Sequence, residues 1–335
     1  MSALALTARR VVHYHPPVGL STLFKPLPKH EERPTLAVTY QPLSGGPVLT
    51  FSAKAALGIP EQTLLLVLLE LAQEQLASYH GDAVLNANAN SVVGRELWTR
   101  LNRGDPSASG QTLKLNTNWC ELNRRCDVAA GGATQSLRAE QLKRLCEVVV
   151  WETSMGEKKT IRQSYLVAWL VGDDCRIHLA LNCGLASALL GQPYAQVSLT
   201  ERLKLGKDIP MALHAFFSTT LAYGNHLKIK VETLIERLWP GSAENAPNGT
   251  HRRRRKDVRD GLEALGLLST WTVEWARTDM ACVTRLSSGV RDMTGHKTNR
   301  IRSYPEQAFA KITSPNNDLR PFDASGLFFN KNTSA

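Results

Sequence analysis

The sequence predicts an α+β protein of two tandem winged-helix (helix-turn-helix) domains, with a flexible basic N-terminal arm and an irregular C-terminal tail. Three observations lead to this prediction. Residues 250–265 form a basic segment with helical period, two β-prone runs follow it, and the same order of elements occurs earlier in the chain. The predicted bounds are 1–33 for the arm, 34–191 for the first domain, 197–286 for the second domain and 287–335 for the tail.

The basic segment is predicted to be a DNA recognition helix. Val258, Leu262 and Leu265 recur on one helical face, while arginine and lysine side chains project from the sides and front. Thr250 is predicted to cap its start, since a threonine oxygen can accept from the first free backbone N–H groups. A solvated helix face or a disordered tail is the alternative for a run of charge, but a tail needs no apolar stripe.

The hairpin after this helix completes the pattern. Runs 267–275 and 280–286 are β-prone and flank a polar turn over 276–279. Arginine forks pair with guanine O6 and N7 or with phosphate, and the first residues of such a helix usually reach base edges. This favours residues 251–254 for bases and Arg255, Lys256 and Arg259 for the DNA backbone. The predicted DNA-binding residues are Thr250, His251, Arg252, Arg253, Arg254, Arg255, Lys256, Arg259, Arg277 and Arg285.

The elements before the basic helix are predicted from the spacing of apolar residues and from the glycines and prolines between the periodic runs. The first half is predicted as a hairpin (35–40 and 48–51), a buried helix (60–76), a strand (113–116), helices (119–125 and 136–146) and strands (148–151 and 161–170). The join has a strand (176–181) and a short helix (182–190). The second half has a helix (210–222), a strand (227–230) and a helix (232–238) before the basic helix. Helix, strand, helix, helix, strand, strand is the winged-helix order, and it occurs twice.

The first domain offers a weaker set of cations. Five of them are predicted to make secondary phosphate contacts, with ordinary exposed charge as the alternative for each. They are Arg124, Arg125, Arg138, Lys143 and Arg144.

Composition agrees with a nucleic-acid partner. A formal net charge of +10 suits DNA, RNA or a membrane surface. A membrane is disfavoured, because the longest apolar run, 63–69, is far shorter than the ~20 residues that span a bilayer. No signal peptide is visible and the six cysteines show no CxxC pair, which indicates reduced thiols in a cytoplasmic bacterial protein.

Enzyme alternatives have weaker signals, so no catalysis, metal or cofactor is expected. His13, Tyr14 and His15 have the spacing of a rolling-circle nuclease metal site, but prolines follow directly and no tyrosine has a lysine four residues on. Cys175 and His178 are at best half a zinc site. Residues 295–298 lack the glycines of a phosphate-binding loop.

The chain resembles the RepC-type iteron-binding replication initiators of IncQ-like broad-host-range plasmids. The resemblance lies in the opening hairpin (34–51), the strand 176–182, the Trp-Pro turn (234–240), the arginine-rich helix (252–259) and the tryptophan-bearing strand (266–274). It covers about residues 34–276, with 78–116 poorly matched, and the part beyond residue 276 departs from the family's shorter form.

The resemblance implies a sequence-specific double-stranded DNA-binding protein with defined partners. It implies binding to iterons at a plasmid vegetative origin, opening of an adjacent AT-rich region, and recruitment of the replicative helicase and primase. It also implies a homodimer off DNA and a monomer on DNA. A winged-helix transcriptional regulator is the alternative function, since it shares the fold, the charge and the groove chemistry.

Overall fold

The computed structural model describes most of the chain and shows a mixed α+β fold. The described residues are 10–28, 31–42, 45–78, 83–105, 108–129, 131–155, 159–172, 176–241 and 247–287. Residues 1–9 of the predicted arm, and the predicted tail from residue 288 on, therefore lie outside the described residues. Within the described ranges, no helix has the length and apolar character that a membrane-spanning segment needs.

Helices and short strands alternate along the described chain. The first half contains β1 (Val11–Tyr14), α1 (Pro16–Leu20), β2 (Leu36–Tyr40), β3 (Val48–Ala53), α2 (Ile59–Ser78), β4 (Val84–Leu85), α3 (Val92–Leu101), β5 (Thr112–Thr117), α4 (Trp119–Arg125), α5 (Gly132–Cys146), β6 (Val149–Met155), β7 (Lys159–Tyr165), β8 (Val167–Val171), β9 (Ile177–Leu181) and α6 (Cys183–Leu189). The second half contains β10 (Ala195–Ser198), α7 (Leu199–Leu205), α8 (Asp208–Thr220), β11 (His226–Lys230), α9 (Val231–Leu238), α10 (Asn248–Gly266), β12 (Trp271–Arg277) and β13 (Met280–Arg285).

The predicted buried helix is confirmed as α2, at the centre of the first half. Glu61 accepts a hydrogen bond from the N–H of Gly58 at 2.8 Å and so caps the helix start. Pro60 lies in the first turn, where its missing N–H costs nothing. Residues 64–69 are fully buried because β1, β5, α5 and α8 pack around them.

Polar side chains cap the N-termini of two other helices of the first half. Ser91 accepts from the N–H of Gly94 at the start of α3, and Asn118 accepts from Glu121 at the start of α4. Helix α3 was not predicted, and α5 begins four residues before the predicted position 136.

Part of the predicted flexible arm is ordered, so that prediction is wrong for residues 10–28. β1 pairs antiparallel with β10 of the second half, and α1 packs on α8. Val12 and Tyr14 alternate inward from β1 and are fully buried. The proline pair that disfavours a strand instead occupies the first turn of α1, where proline is tolerated.

The predicted strand over 161–170 divides at Leu166 into two strands of different sheets. β7 pairs with β6 and extends the β2–β3 hairpin to a four-stranded sheet in the order β2-β3-β6-β7. β8 pairs with β9 in the sheet β4-β5-β9-β8. The N–H of Leu166 donates to the carbonyl of Val148 at 2.9 Å, so this fully buried residue marks the crossing between the sheets.

The element repeat is present, but the strands of its first copy differ from the prediction. In the second half, β13 is the central strand, with β11 on one side and β12 on the other. In the first half, β9 lies between β5 and β8 in the same way. Both sheets therefore have the order of first, third and second strand. The equivalent hairpin is therefore β8–β9, and the strand predicted at the join, 176–181, is its inner strand. The hairpin β6–β7 is an insertion between α5 and β8.

Two arginines, the buried Arg202 and the half-buried Arg237, join the halves. Arg202 of α7 donates to the side chains of Gln62 and Thr63 in α2, at 2.9 and 3.1 Å. Arg237 of α9 donates to the carbonyls of Gly19 and Leu20 at the end of α1, both at 2.9 Å. Each guanidinium replaces its lost hydration with protein oxygens, which buried charge requires. These bonds fix elements of the second half against α1 and α2.

Candidate nucleic-acid interface

The basic helix α10 is seated on an apolar floor. The predicted stripe is confirmed, since Val258, Leu262 and Leu265 are fully buried against α8, α9 and β12. Gly261 lies on the same face, where an added Cβ would meet Leu213 of α8 at 3.0 Å. The absence of a side chain at this position lets α10 approach α8 closely.

The start of α10 differs from the prediction. The helix begins at Asn248 with Pro247 before it, so Thr250 is an exposed residue of the first turn and not the cap. Pro247 offers no side-chain hydrogen bond to the first turn. The first backbone N–H groups of a 19-residue helix therefore face outward, where an anion can accept from them.

The outer face of α10 carries the exposed cations. Arg252, Arg253 and Lys256 are exposed, and the side chain of Arg253 retains 84% of its accessible surface. Its nearest carboxylate, Asp257, is 3.9 Å away, at the limit of an ion pair. One turn further on, Asp260 is exposed on the same face. Positive charge is thus concentrated at the N-terminal half of the helix.

The other predicted cations of α10 are held by neighbouring elements. Arg254 stacks over Trp239 at 5.1 Å, and Arg259 stacks over Trp275 at 5.1 Å. Arg255 and Arg259 also form ion pairs with carboxylates, and His251 forms a hydrogen bond to one. These side chains are half-buried. They lie beside the outer face and already have protein partners.

The hairpin β12–β13 separates its two predicted arginines. Arg277 is exposed at the end of β12, beside the turn. Arg285 is 2% exposed and was wrongly predicted to contact DNA. It donates to the carbonyls of Ser218 and Leu221, both at 3.0 Å, and stacks over Tyr223 at 4.0 Å. Alternation along β13 points this residue inward.

Most of the secondary set in the first half has a structural role. Arg138 is buried and donates to Gln141 at 2.6 Å, so its prediction as a phosphate contact is wrong. Arg125 is mostly buried and pairs with Glu70 at 2.9 Å and with Glu74 at 2.7 Å. Arg144 pairs with the fully buried Glu61 at 2.9 Å.

The remaining two of that set lie at the surface. Arg124 pairs with Glu121 at 2.7 Å, but most of its side chain is exposed. Lys143 is exposed on α5. These two alone of the predicted five have the exposure that a DNA contact requires.

Sequence reasoning missed one basic row. His226, Lys228 and Lys230 are exposed and alternate along β11, while Leu227 and Ile229 between them are buried. The period-two pattern of this strand contained the signal. Lys230 lies opposite Met280 at the hairpin turn, close to the basic helix.

The nuclease alternative has no support from the geometry. Tyr14 is fully buried, and burial raises the pKa of its hydroxyl to about 12. Burial lowers the pKa of His15 to about 4, and His13 stacks on Tyr194 at 3.6 Å. Among the described residues, no group of three or more His, Cys, Asp or Glu is placed to hold a metal ion. Cys175 and residues 295–298 lie outside the described ranges.

A protein-family profile and two solved structures are similar to this chain. The sequence profile described as "Replication protein C (RepC)" matches residues 7–285. No curated protein matches the chain. Among solved structures, "SeMet derivatives of domain2 and domain 3 of RctB" has a TM-score of 0.46 at 11% identity, covering 79% of this chain and 95% of that one. "RctB domains 2-3, RctB-155-483" has a TM-score of 0.45 at 11% identity, covering 77% and 93%.

Proposed function

This chain belongs to the replication protein C (RepC) family, and from that membership we propose that it is a plasmid replication initiator that recognises iterons at a vegetative origin. It binds them as double-stranded DNA through two winged-helix domains, residues 34–191 and 197–286. The common strand order of the sheets β5-β9-β8 and β11-β13-β12 supports this division. In this proposal α5 and α10 are the second helices of two helix-turn-helix units.

The exposed outer face of α10 is the observation that supports the proposal most directly. Arg252 and Arg253 lie near the helix start and contact base edges, where an arginine fork matches guanine O6 and N7. Lys256 contacts phosphate, as do Arg277 in the hairpin and Lys230 on β11. The acidic C-terminal half of the outer face stays away from the duplex. The N-terminal half of α10 therefore enters the major groove.

The later steps rest on the resemblance to IncQ-like plasmid initiators. Once bound to iterons, the protein promotes opening of an adjacent AT-rich region. It then recruits the plasmid replicative helicase and primase. In the first domain, Arg124 and Lys143 supply secondary phosphate contacts.

A homodimer off DNA is the further part of this proposal. Helix α2 cannot provide the interface, because it is buried. The outward face of the sheet β2-β3-β6-β7 remains, and its strand registers place Val48, Thr50, Trp151 and Ile161 on that face. Trp151 and Ile161 are 38% and 54% exposed. The register positions next to Trp151 on this face, Thr50, Thr153 and Gln163, are uncharged, so two chains of net charge +10 can meet around Trp151 with little repulsion.

Footprinting on origin DNA tests the proposal. Two tandem domains in neighbouring grooves should protect about two helical turns of each repeat per bound chain. Protection of half a turn would place only one domain on DNA. Binding to a single operator, with no repeats and no AT-rich neighbour, would favour the transcriptional regulator.

Two variants that remove the same charge test the outer face of α10. Changing Arg252, Arg253 and Lys256 together to alanine should abolish discrimination of iterons from scrambled DNA and make the dependence of affinity on salt less steep by about two to three units of slope. Changing Lys54, Arg95 and Arg162 to alanine removes the same charge elsewhere on the surface and should keep discrimination. Equal losses in the two variants would reject α10 as the recognition helix.

A further inference from the structure

One carboxylate, at the turn of the hairpin β12–β13, holds two arginines of the basic helix. Asp279 pairs with Arg255 at 2.5 Å and with Arg259 at 3.0 Å. Arg259 also donates to the carbonyl of Thr278 in the same turn. The carbonyl of Asp279 accepts from the N–H of Val231 at 3.0 Å, which begins α9. Asp279 therefore links the hairpin to both helices of the helix-turn-helix unit.

A second carboxylate closes the same network. Glu232, in the first turn of α9, accepts from His251 at 2.9 Å and pairs with Arg255 at 3.5 Å. Two arginines and one histidine of α10 are thus shared between two acidic residues of neighbouring elements. Ion pairs at this degree of exposure add little to folding stability. Their consequence lies in where they place charge.

The network sorts the cations of α10 into two groups. Arg255 and Arg259 are 38% and 36% exposed, and the two carboxylates Asp279 and Glu232 together balance their charge. The side chain of Arg253, on the outer face, is far more exposed at 84%. Free cations attract any DNA sequence through phosphate, whereas base discrimination needs arginines presented at fixed positions. Neutralising the first group reduces attraction that carries no sequence information.

We propose that Asp279 is a specificity-determining residue. This inference rests on the proposed function of α10 as a recognition helix. Asp279 keeps Arg255 and Arg259 away from phosphate and holds α10 against the hairpin, so that the outer face meets the bases. Weakening the binding of wrong partners is a general route to specificity.

The test replaces Asp279 with asparagine, which keeps the shape and removes the charge. Affinities for iteron DNA and scrambled DNA are measured over a salt series. Arg259 is released fully and Arg255, still paired with Glu232, in part, so the salt dependence on scrambled DNA should steepen by about one to two units of slope, at about 0.9 per contact. The ratio of iteron to scrambled affinity should fall about tenfold or more. Asp260→Asn, the matched control, loses the same charge on the outer face and should keep the wild-type slope.

Two further variants keep the outcome decisive. Adding Arg255→Ala and Arg259→Ala to Asp279→Asn should return the slope on scrambled DNA to the wild-type value or below it. If Asp279→Asn fails to fold by circular dichroism, Glu232→Gln frees Arg255 in part and should steepen the slope by about one.

The failures are distinguishable. If the wild-type protein itself does not prefer iterons to scrambled DNA, the proposed function is wrong. If the wild type discriminates and a folded Asp279→Asn variant keeps both its slope and its ratio, the role of Asp279 is wrong.

Discussion

Partner groups decide what each arginine does. Arg202 is buried and Arg237 is half-buried, and loss of solvent around each guanidinium lowers its pKa to about 10, so both remain cationic at neutral pH. Carbonyls and amide oxygens satisfy them, as carbonyls satisfy Arg285. Arg253 is exposed, and the ion pair it makes within the described part of the chain is the distant one with Asp257. The same residue type is thus structural at three of these positions and a candidate DNA contact at the fourth.

The half-buried His15 gives a prediction about acid stability. Burial lowers the pKa of His15 to about 4 from 6.5, and among the described residues its Nδ1 has no hydrogen-bond partner. Below pH 6.5 the unfolded chain therefore binds a proton that the folded chain does not bind. The free energy of unfolding should fall between pH 6.5 and pH 4, by about 3 kcal/mol from this residue.

Urea denaturation at pH 7.5 and pH 4.5 measures this effect. His15→Gln should reduce the difference in unfolding free energy between the two pH values by about 2 to 3 kcal/mol. The exposed His226→Gln is the control and should keep the wild-type difference. A difference unchanged in His15→Gln would show that His15 is not the group that titrates.

Close packing between elements depends on glycines at two crossings. Gly261 brings α10 onto α8, and Gly19 brings α1 onto the same helix. A Cβ at Gly19 would lie 2.4 Å from Thr219 Oγ1 and 2.9 Å from Tyr14 Cε1. Because Thr219 and Tyr14 are themselves buried, neither can move away freely. The order of α1 therefore depends on the absence of a side chain at this position.

Alanine at Gly19 should destabilise the protein. Overpacking of this kind typically costs about 1 to 3 kcal/mol, which thermal melts or urea titrations can resolve. Gly132→Ala in α5 is the control, because an added Cβ there has no neighbour within 4 Å. The control should be neutral or slightly stabilising, since alanine favours helix over glycine. Equal stability of the two variants would contradict the close α1–α8 contact.

The two halves of the molecule are joined by β1, α1 and the side chains of Arg202 and Arg237. β1 pairs with β10, while Arg202 and Arg237 bond to groups on α2 and α1. The two proposed DNA-binding surfaces are thereby held in one arrangement. The sheet face around Trp151, the proposed dimer contact, belongs to the first half.

Self-association supplies the prediction at this scale. Without DNA the protein should sediment at twice its chain mass of 36.9 kDa, and iteron DNA should bind one chain per repeat. Trp151→Glu places a charge among the uncharged residues of the proposed interface and should give monomers at all concentrations, with iteron binding retained. Val92→Glu, which changes another exposed apolar residue, should remain dimeric. Dimers of Trp151→Glu as stable as wild type would exclude this face.

The sequence by itself determined the local elements and the position of the basic helix. Apolar period identified α2 and the stripe Val258, Leu262 and Leu265, because a helix or strand repeats its buried face at a fixed spacing. It also predicted the hairpin after α10 and the repeated element order. These are properties of neighbouring residues and need no knowledge of distant ones.

Only the tertiary structure decided which strands pair and which cations are free. Pairing of β5 with β9, and of β1 with β10, joins segments far apart in sequence, and local period does not identify a partner. Arg285 and Arg138 resemble exposed cations in sequence, yet they satisfy oxygens from remote elements. Asp279 lies 20 positions or more from the arginines it holds. A charge acquires its role from what the fold brings within a few ångströms, because burial and partners set its free energy.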